Sequence, residues 1–234
     1  MRGARMAALA VGLAGALWPV LAQEPRPMTL VDLINLPRIS DPQMSPDNQQ
    51  IVFVQSEANW KANRRVNHIW KINADGSGLM QLTSGEDGET SPRWAPDGKA
   101  IAFTAKRGTD PDVVNQIFLI SSAGGEARPL TTHATAISSI QWSPDGASIF
   151  FRAPEPKSEE QKGREKLKDD VLVFDEDYQQ QHLWSVAVAS KAEHRITEGD
   201  FSVLGYSLSK DGQKIVFHRA RRLCWGTPSK VKYG

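Results

Sequence analysis

The sequence predicts an all-β chain, a partial β-propeller of about three four-stranded blades plus the start of a fourth, and three observations carry that prediction. First, a turn-and-strand motif recurs four times, as MSPDNQQIVF (44–53), WAPDGKAIAF (94–103), WSPDGASIFF (142–151) and LSKDGQKIVF (208–217). Second, another motif follows each of the first three copies: HIWKINADGSGLMQLT (68–83), QIFLISSAGGEARPLT (116–131) and HLWSVAVASKAEHRIT (182–197). Third, the spacing is constant, since Trp70 to Phe118, Thr83 to Thr131 and Asp97 to Asp145 are each 48 residues. Each closing threonine also precedes the next turn-leading residue by 11, in Thr83 to Trp94, Thr131 to Trp142 and Thr197 to Leu208. The third unit is longer, with Phe118 to Trp184 at 66, and all 18 extra residues fall between Phe151 and His182. A fixed period with one localised insertion is the signature of a repeat architecture.

From the N-terminus, residues 1–22 read as a secretory signal peptide. Arg2 and Arg5 form a positive leader, Met6 to Leu21 is apolar but short of the ~20 residues that span a bilayer comfortably, and Ala22 supplies the small residue before a cleavage site. An uncleaved anchor is the rival reading, and the expected destination is the periplasm or the exterior. Residues 23–40 read as a lead-in with a short helix, Thr29 serving as N-cap with Asp32 three residues on and Pro37 ending it.

Residues 41–220 read as the blades. In Ser143-Pro144-Asp145-Gly146 the proline presets φ for a type I turn, the aspartate hydrogen-bonds nearby backbone, and the glycine takes the positive φ that returns the chain as a hairpin. Period-2 pairs flank it: Ile140 and Trp142 before, Ile149 and Phe151 after, with Ile51/Phe53, Ile101/Phe103 and Ile215/Phe217 in the sister copies. A third strand carries Ile69/Lys71, Ile117/Leu119 and Leu183/Ser185 on one face and Trp70/Ile72, Phe118/Ile120 and Trp184/Val186 on the other. A short fourth strand ends in Leu82-Thr83, Leu130-Thr131 or Ile196-Thr197. Four short strands per ~48 residues make one propeller blade, with the large apolar groups buried between blades. The charged insertion, 154–177, reads as a solvated loop over EPKSEEQKGREKLKDD (155–170). The tail 221–234 breaks the pattern, and a truncated or frame-shifted product is expected there, a divergent natural end being the alternative.

Composition excludes several classes. The net charge of +1 becomes about −1 once Arg2 and Arg5 leave with the signal peptide, which gives no electrostatic footprint for nucleic acid or anionic lipid. The single cysteine, Cys224, allows no internal disulfide, so packing has to hold the fold. Asp169, Asp170, Asp175, Glu176 and Asp177 lack the spacing and glycine of a calcium loop. None of the histidines (His68, His133, His182, His194, His218) shows metal-ligand spacing. His68 and His182 share one repeat position, which points to a blade-edge hydrogen bond. Ala123-Gly124-Gly125 is hairpin, not a phosphate loop. Thus no catalytic, cofactor-binding or metal-ligating residue is assigned, and no cofactor is expected.

The pattern W-S-P-D-G-x-x-I-x-F with I-W-x-I and a closing L-T resembles the N-terminal β-propeller of secreted prolyl oligopeptidase-type serine peptidases, the acylaminoacyl-peptidase-like branch. It is also similar to TolB-type propeller repeats. The opening MTLVDLINLPRISDPQMSPDNQQIVFV (28–54) and the stretch VLVFDEDYQQQHLW (171–184) look like the peptidase branch. That resemblance covers about residues 28–220. It implies a non-catalytic propeller that admits short peptides to an α/β-hydrolase domain carrying a G-x-S-x-G serine. No G-x-S-x-G occurs in this sequence, and Ser77 of DGSGL (75–79) reads as a hairpin residue. The implied partner is that hydrolase domain, or another protein covering the open blades. The TolB resemblance implies instead a periplasmic protein-binding scaffold.

Overall fold

Four copies of one turn set the architecture. The computed structural model describes residues 26–108, 110, 112–167 and 179–220, with the side chains of 165 and 166 excepted. The signal-peptide segment, the carboxylates between Asp169 and Asp177 and the tail 221–234 lie outside the described residues. The chain divides into two units, Met1–Ile34 and Asn35–Gly234.

In the first unit, Thr29 opens helix α1 (Leu30–Asn35). The Asp32 amide donates to Thr29 Oγ1 at 3.2 Å, and Asp32 Oδ2 accepts the Thr29 amide at 2.8 Å, a reciprocal capping box. Arg26 forks onto Asp32 at 2.6 and 2.8 Å and, with the Thr29 hydroxyl and amide, holds that carboxyl well below the usual range.

The second unit is a row of antiparallel sheets. Strands β1 (Arg38–Met44), β2 (Gln50–Asn59), β3 (Arg64–Asn73) and β4 (Met80–Gln81) form the first in sequential order. Strands β5 (Glu89–Trp94), β6 (Ala100–Ala105), β7 (Gln116–Ser121) and β8 (Arg128–Pro129) form the second. The third contains β9 (Ser138–Trp142), β10 (Ser148–Pro154), β11 (Gln181–Ala187) and β12 (Glu193–Arg195). Only β13 (Ser202–Leu208) and β14 (Ile215–Ala220) make the fourth among the described residues. The predicted partial propeller is therefore observed, three full blades and half of another.

The turn chemistry works as the sequence implies. Gly146 N–H donates to Ser143 O at 2.9 Å and Asp145 Oδ1 accepts the Ala147 amide at 2.9 Å. Gly98, Gly146 and Gly212 each take a φ of 70°, and Asn48 takes 58° in the first copy. Successive turns also meet. A Cβ on Gly98, Gly146 or Gly212 would stand 3.9, 3.6 or 3.2 Å from the Cδ of Pro46, Pro96 or Pro144 in the preceding blade.

Two apolar cores lie between blades. The first joins Val52 and Ile69 of blade 1 to Trp94, Ile101 and Phe103 of blade 2; the second joins Ile117 and Leu119 to Ile140, Ile149 and Phe151 of blade 3. Cross-strand aromatic pairs contribute to them, Phe103 opposite Phe118 in the first and Phe151 opposite Trp184 in the second. At roughly 1.5–3 kcal/mol per fully buried large side chain, these joints dominate stability.

Three features differ from the sequence reading. Pairing starts at Arg38 rather than residue 41, because the ladder continues past a bulge between Ser40 and Gln43. Bulges recur in every first strand, with Asp41, Ser91 and Ser139 at φ 48, 57 and 52°. Part of the insertion is helix, α2 (Glu159–Lys166), rather than loop throughout. Its cause is a second capping box, in which Gln161 N–H donates to Ser158 Oγ at 3.1 Å and Ser158 N–H to Gln161 Oε1 at 2.8 Å.

Candidate functional site

Chemistry-bearing side chains in this fold gather where one blade meets the next. At the first joint the Glu89 carboxylate is fully buried at the start of β5. It accepts the Gly85 amide at 2.8 Å, faces His68 Nδ1 at 3.1 Å and stands 3.4 Å from Arg107 Nη2. Arg107 in turn covers the rings of Phe118 and Phe103, 4.8 and 5.7 Å from their centroids. A buried carboxylate stripped of such partners would cost several kcal/mol, so this set reads as a structural anchor. Beside it run two shallow clefts of about 390 and 480 Å³, the first flanked by Trp60 and His68, the second by Lys106 and Arg107.

At the second joint the His133 side chain, 7% exposed, lies 2.7 Å from Glu193 Oε2 and sits edge-on to Phe151 and Trp184. In blade 3 His182 lies between Thr197 Oγ1, 3.2 Å from Nδ1, and Glu155 Oε1, 3.3 Å from Nε2. Hydroxyl, imidazole and carboxylate in that order have the outline of a nucleophile with its base. The repeat decides against it. Thr83, Thr131 and Thr197 each accept the amide of Ile69, Ile117 or Leu183 at 2.9, 2.9 and 3.0 Å, so the hydroxyl has a backbone duty in every blade. All three are buried.

The first strands and their β10 neighbour are joined by polar links. Arg93 Nη1 donates to Asp41 Oδ2 at 2.8 Å, Arg152 Nη2 donates to Ser139 Oγ at 2.7 Å, and Tyr206 Oη lies 2.6 and 2.8 Å from the carbonyls of Ser139 and Phe150, which share its one hydrogen. Burial pushes the Tyr206 phenol up beyond its ordinary value. Trp94 and Trp142 donate from Nε1 to Gln43 O and Arg93 O of the preceding blade, at 3.1 and 3.0 Å.

Residues weighed from sequence therefore fall as follows. Ser77 sits in the β3–β4 hairpin, where its hydroxyl donates to Asp75 Oδ1 at 2.7 Å. Ser143 and Asp145 bond each other and the turn backbone. His68 and His182 do hold the same repeat position yet face different partners, Glu89 and Thr197. Sequence reading missed the Glu89 and Glu155 clusters, whose members are too far apart in the chain to leave a local pattern. No group of three or more potential metal ligands occurs among the described residues.

Comparison with known proteins agrees with this geometry. Residues 34% identical over 83 positions match the uncharacterized peptidase YuxL of Bacillus subtilis, covering 36% of this chain and 13% of that protein. Dipeptidyl-peptidase 5 of Porphyromonas gingivalis is 37% identical over 75 residues, 32% of this chain and 11% of that one. The chain thus spans a small part of the curated relatives it matches. Among solved structures, an acylaminoacyl peptidase from Pyrococcus horikoshii aligns with a TM-score of 0.60 at 19% identity, over 80% of this chain and 28% of its own. TolB from Acinetobacter baumannii aligns at 0.56 and 18% identity, over 83% and 40%. A family model described as the TolB beta propeller domain matches residues 35–170, and the chain belongs to that family.

Proposed function

We propose that this chain serves as the non-catalytic propeller portion of an exported prolyl oligopeptidase-type serine peptidase, gating the entry of short peptides to a catalytic domain. The observation that carries the reading is the local identity of 34–37% to two peptidases, well above the level at which only the fold is shared. The lack of a G-x-S-x-G elbow in the sequence and the backbone duties of Thr197 support a role without chemistry of its own. Export is part of the proposal and rests on the leader at residues 1–22; no described helix is long and apolar enough to cross a membrane.

Two measurements test it. Purified residues 23–234 should give no turnover of chromogenic peptide or acyl-aminoacyl substrates, and measurable turnover refutes the reading. The nucleotide sequence beyond codon 220, read in all frames, should encode further blades and a G-x-S-x-G; finding neither sinks the peptidase assignment. The family match to the TolB propeller favours a second reading, a scaffold docking a periplasmic protein. A gene neighbourhood of Tol–Pal components, with one of them recovered on the immobilised chain, would select it.

A further inference from the structure

Three equivalent threonines leave one hydrogen each to place. A hydroxyl has a single donor hydrogen, and Thr131, having accepted the Ile117 amide, donates its own to Gln116 Oε1 at 2.8 Å. In blade 3 the residue at that repeat position is His182. Thr197 accepts the Leu183 amide in the same way, and its oxygen lies 3.2 Å from His182 Nδ1. By equivalence with Gln116, Nδ1 is the acceptor, which puts the ring hydrogen on Nε2. That nitrogen is buried and makes no hydrogen bond among the described residues; Glu155 Oε1 is 3.3 Å away but poorly aligned.

The ring is enclosed by charged groups from every neighbouring element. Glu155 comes from the end of β10, and Arg195 of β12 donates to it at 2.7 Å while its Nε donates to Thr197 O at 2.8 Å. Glu198 follows β12 and acts on the ring through space. Phe201 meets His182 edge-on at 5.9 Å, with the Arg219 guanidinium of β14 5.3 Å from the same phenyl ring. Asp200 binds the Gln180 side chain, whose own Oε1 is buried with no hydrogen-bond partner among the described residues. The same cluster spans the neck of the insertion, where the Glu155 amide donates to Gln180 O at 2.8 Å.

We propose that His182 is a pH-sensitive latch on blade 3, holding the closing strand β12 and the insertion neck while neutral and releasing them when protonated. A proton on Nδ1 turns the acceptor into a donor, leaves the Thr197 hydroxyl hydrogen without its partner, and sets a buried cation beside Arg195. Burial first, then Arg195, lowers the His182 pKa, outweighing Glu155 and Glu198. A base whose pKa falls on folding adds stability above its unfolded value of about 6.5, and that stability drains as pH drops toward the folded value. Blade 2 carries the non-titrating Gln116 in the same place; the nearby His133 meets it through its backbone and turns its ring to Glu193 of β12.

The repeat supplies its own control. Amide exchange, corrected for intrinsic rates, is measured on the full chain at about pH 7.5 and about pH 5, across the range where a histidine changes charge. Protection at Leu183 and Ile196 should fall at the lower pH, while Ile117 and Leu130 hold. His182→Gln should abolish the blade 3 loss, and Gln116→His should create one in blade 2. Equal loss in both blades of the unsubstituted chain, or loss that survives His182→Gln, overturns the latch. Should His182→Gln not fold, a ring titration of His182 at or above the ordinary histidine value in the unsubstituted chain overturns it independently.

Discussion

The Ser143 hydroxyl donates to Asp145 Oδ1 and accepts the Ser148 amide at 2.9 Å, so one oxygen closes the turn from both sides. Ser45 does the same for Asp47 and Gln50, whereas blade 2 carries Ala95 and keeps only the aspartate bond to the Lys99 amide at 3.0 Å. Ser143→Ala should therefore leave the fold intact and lower stability by about 1 kcal/mol, read as a shift in urea midpoint. The Ser143 hydroxyl first, and the Ala147 amide next, hold the Asp145 carboxyl below its usual value, as the equivalent groups do for Asp47 and Asp211. A carboxyl depressed on folding stabilises above its unfolded pKa and loses that contribution as pH falls through the folded one. Carboxyl carbon titration should place all three midpoints below that of an unstructured aspartate; midpoints at the ordinary value would refute this. Thr131→Val, which removes the acceptor of a buried amide, should cost about 1–3 kcal/mol, and Thr131→Ser distinctly less in the same denaturation series.

At the scale of elements, the hairpin and the inter-blade joint are the units that fail or hold. Gly146 has φ 70° and only ordinary contact space toward Pro96, so strain rather than clash governs substitutions there. Gly146→Val should cost more than about 1 kcal/mol, while Gly146→Asn should be milder because Asn48 already adopts that conformation in blade 1. Thermal melts of the two variants rank them. Trp142→Phe keeps most of the apolar contact but deprives the Arg93 carbonyl of its donor, and should cost about 1–2 kcal/mol in the same assay. Elements of this kind were largely legible beforehand, since Pro, Asp and Gly at fixed offsets state a turn in local chemistry and period-2 apolar pairs state the strands beside it. The first-strand bulges were not, because Asp41, Ser91 and Ser139 take positive φ with no glycine to announce it. Helix α2 had its signal in Ser158 and Gln161, hidden in a charge run with no apolar face. The histidine–carboxylate pairs were hidden for another reason: His68 meets Glu89, and His133 meets Glu193, only after whole blades have stacked.

For the whole molecule, the β13–β14 pair is packed less completely than the blade before it. Blade 3 seals Phe151 completely, whereas its sister Phe217 remains 36% exposed and Val216 67% exposed on β14. Among the described residues nothing pairs with the second edge of β14, and an unpaired strand edge is a template for another chain. Val216→Lys should therefore reduce concentration-dependent association, seen as a lower mass in light scattering at the highest protein concentration, with the melting temperature little changed. Unchanged association would show that the edge is not the sticky surface.

The proline-to-glycine contact between successive turns has a genealogical consequence. The turns of blades 2 and 3 each present a ring toward the blade after and a bare α-carbon toward the blade before, so those two units carry both halves of the same fastener. A stretch of coding sequence one period long, duplicated in tandem, arrives already compatible with both neighbours, and its loss leaves two ends that still match. Blade number in such a lineage is free to drift while the joint stays unchanged. The first turn, where Asn48 replaces the glycine, and the fourth, where Lys210 replaces the proline, each carry only one half.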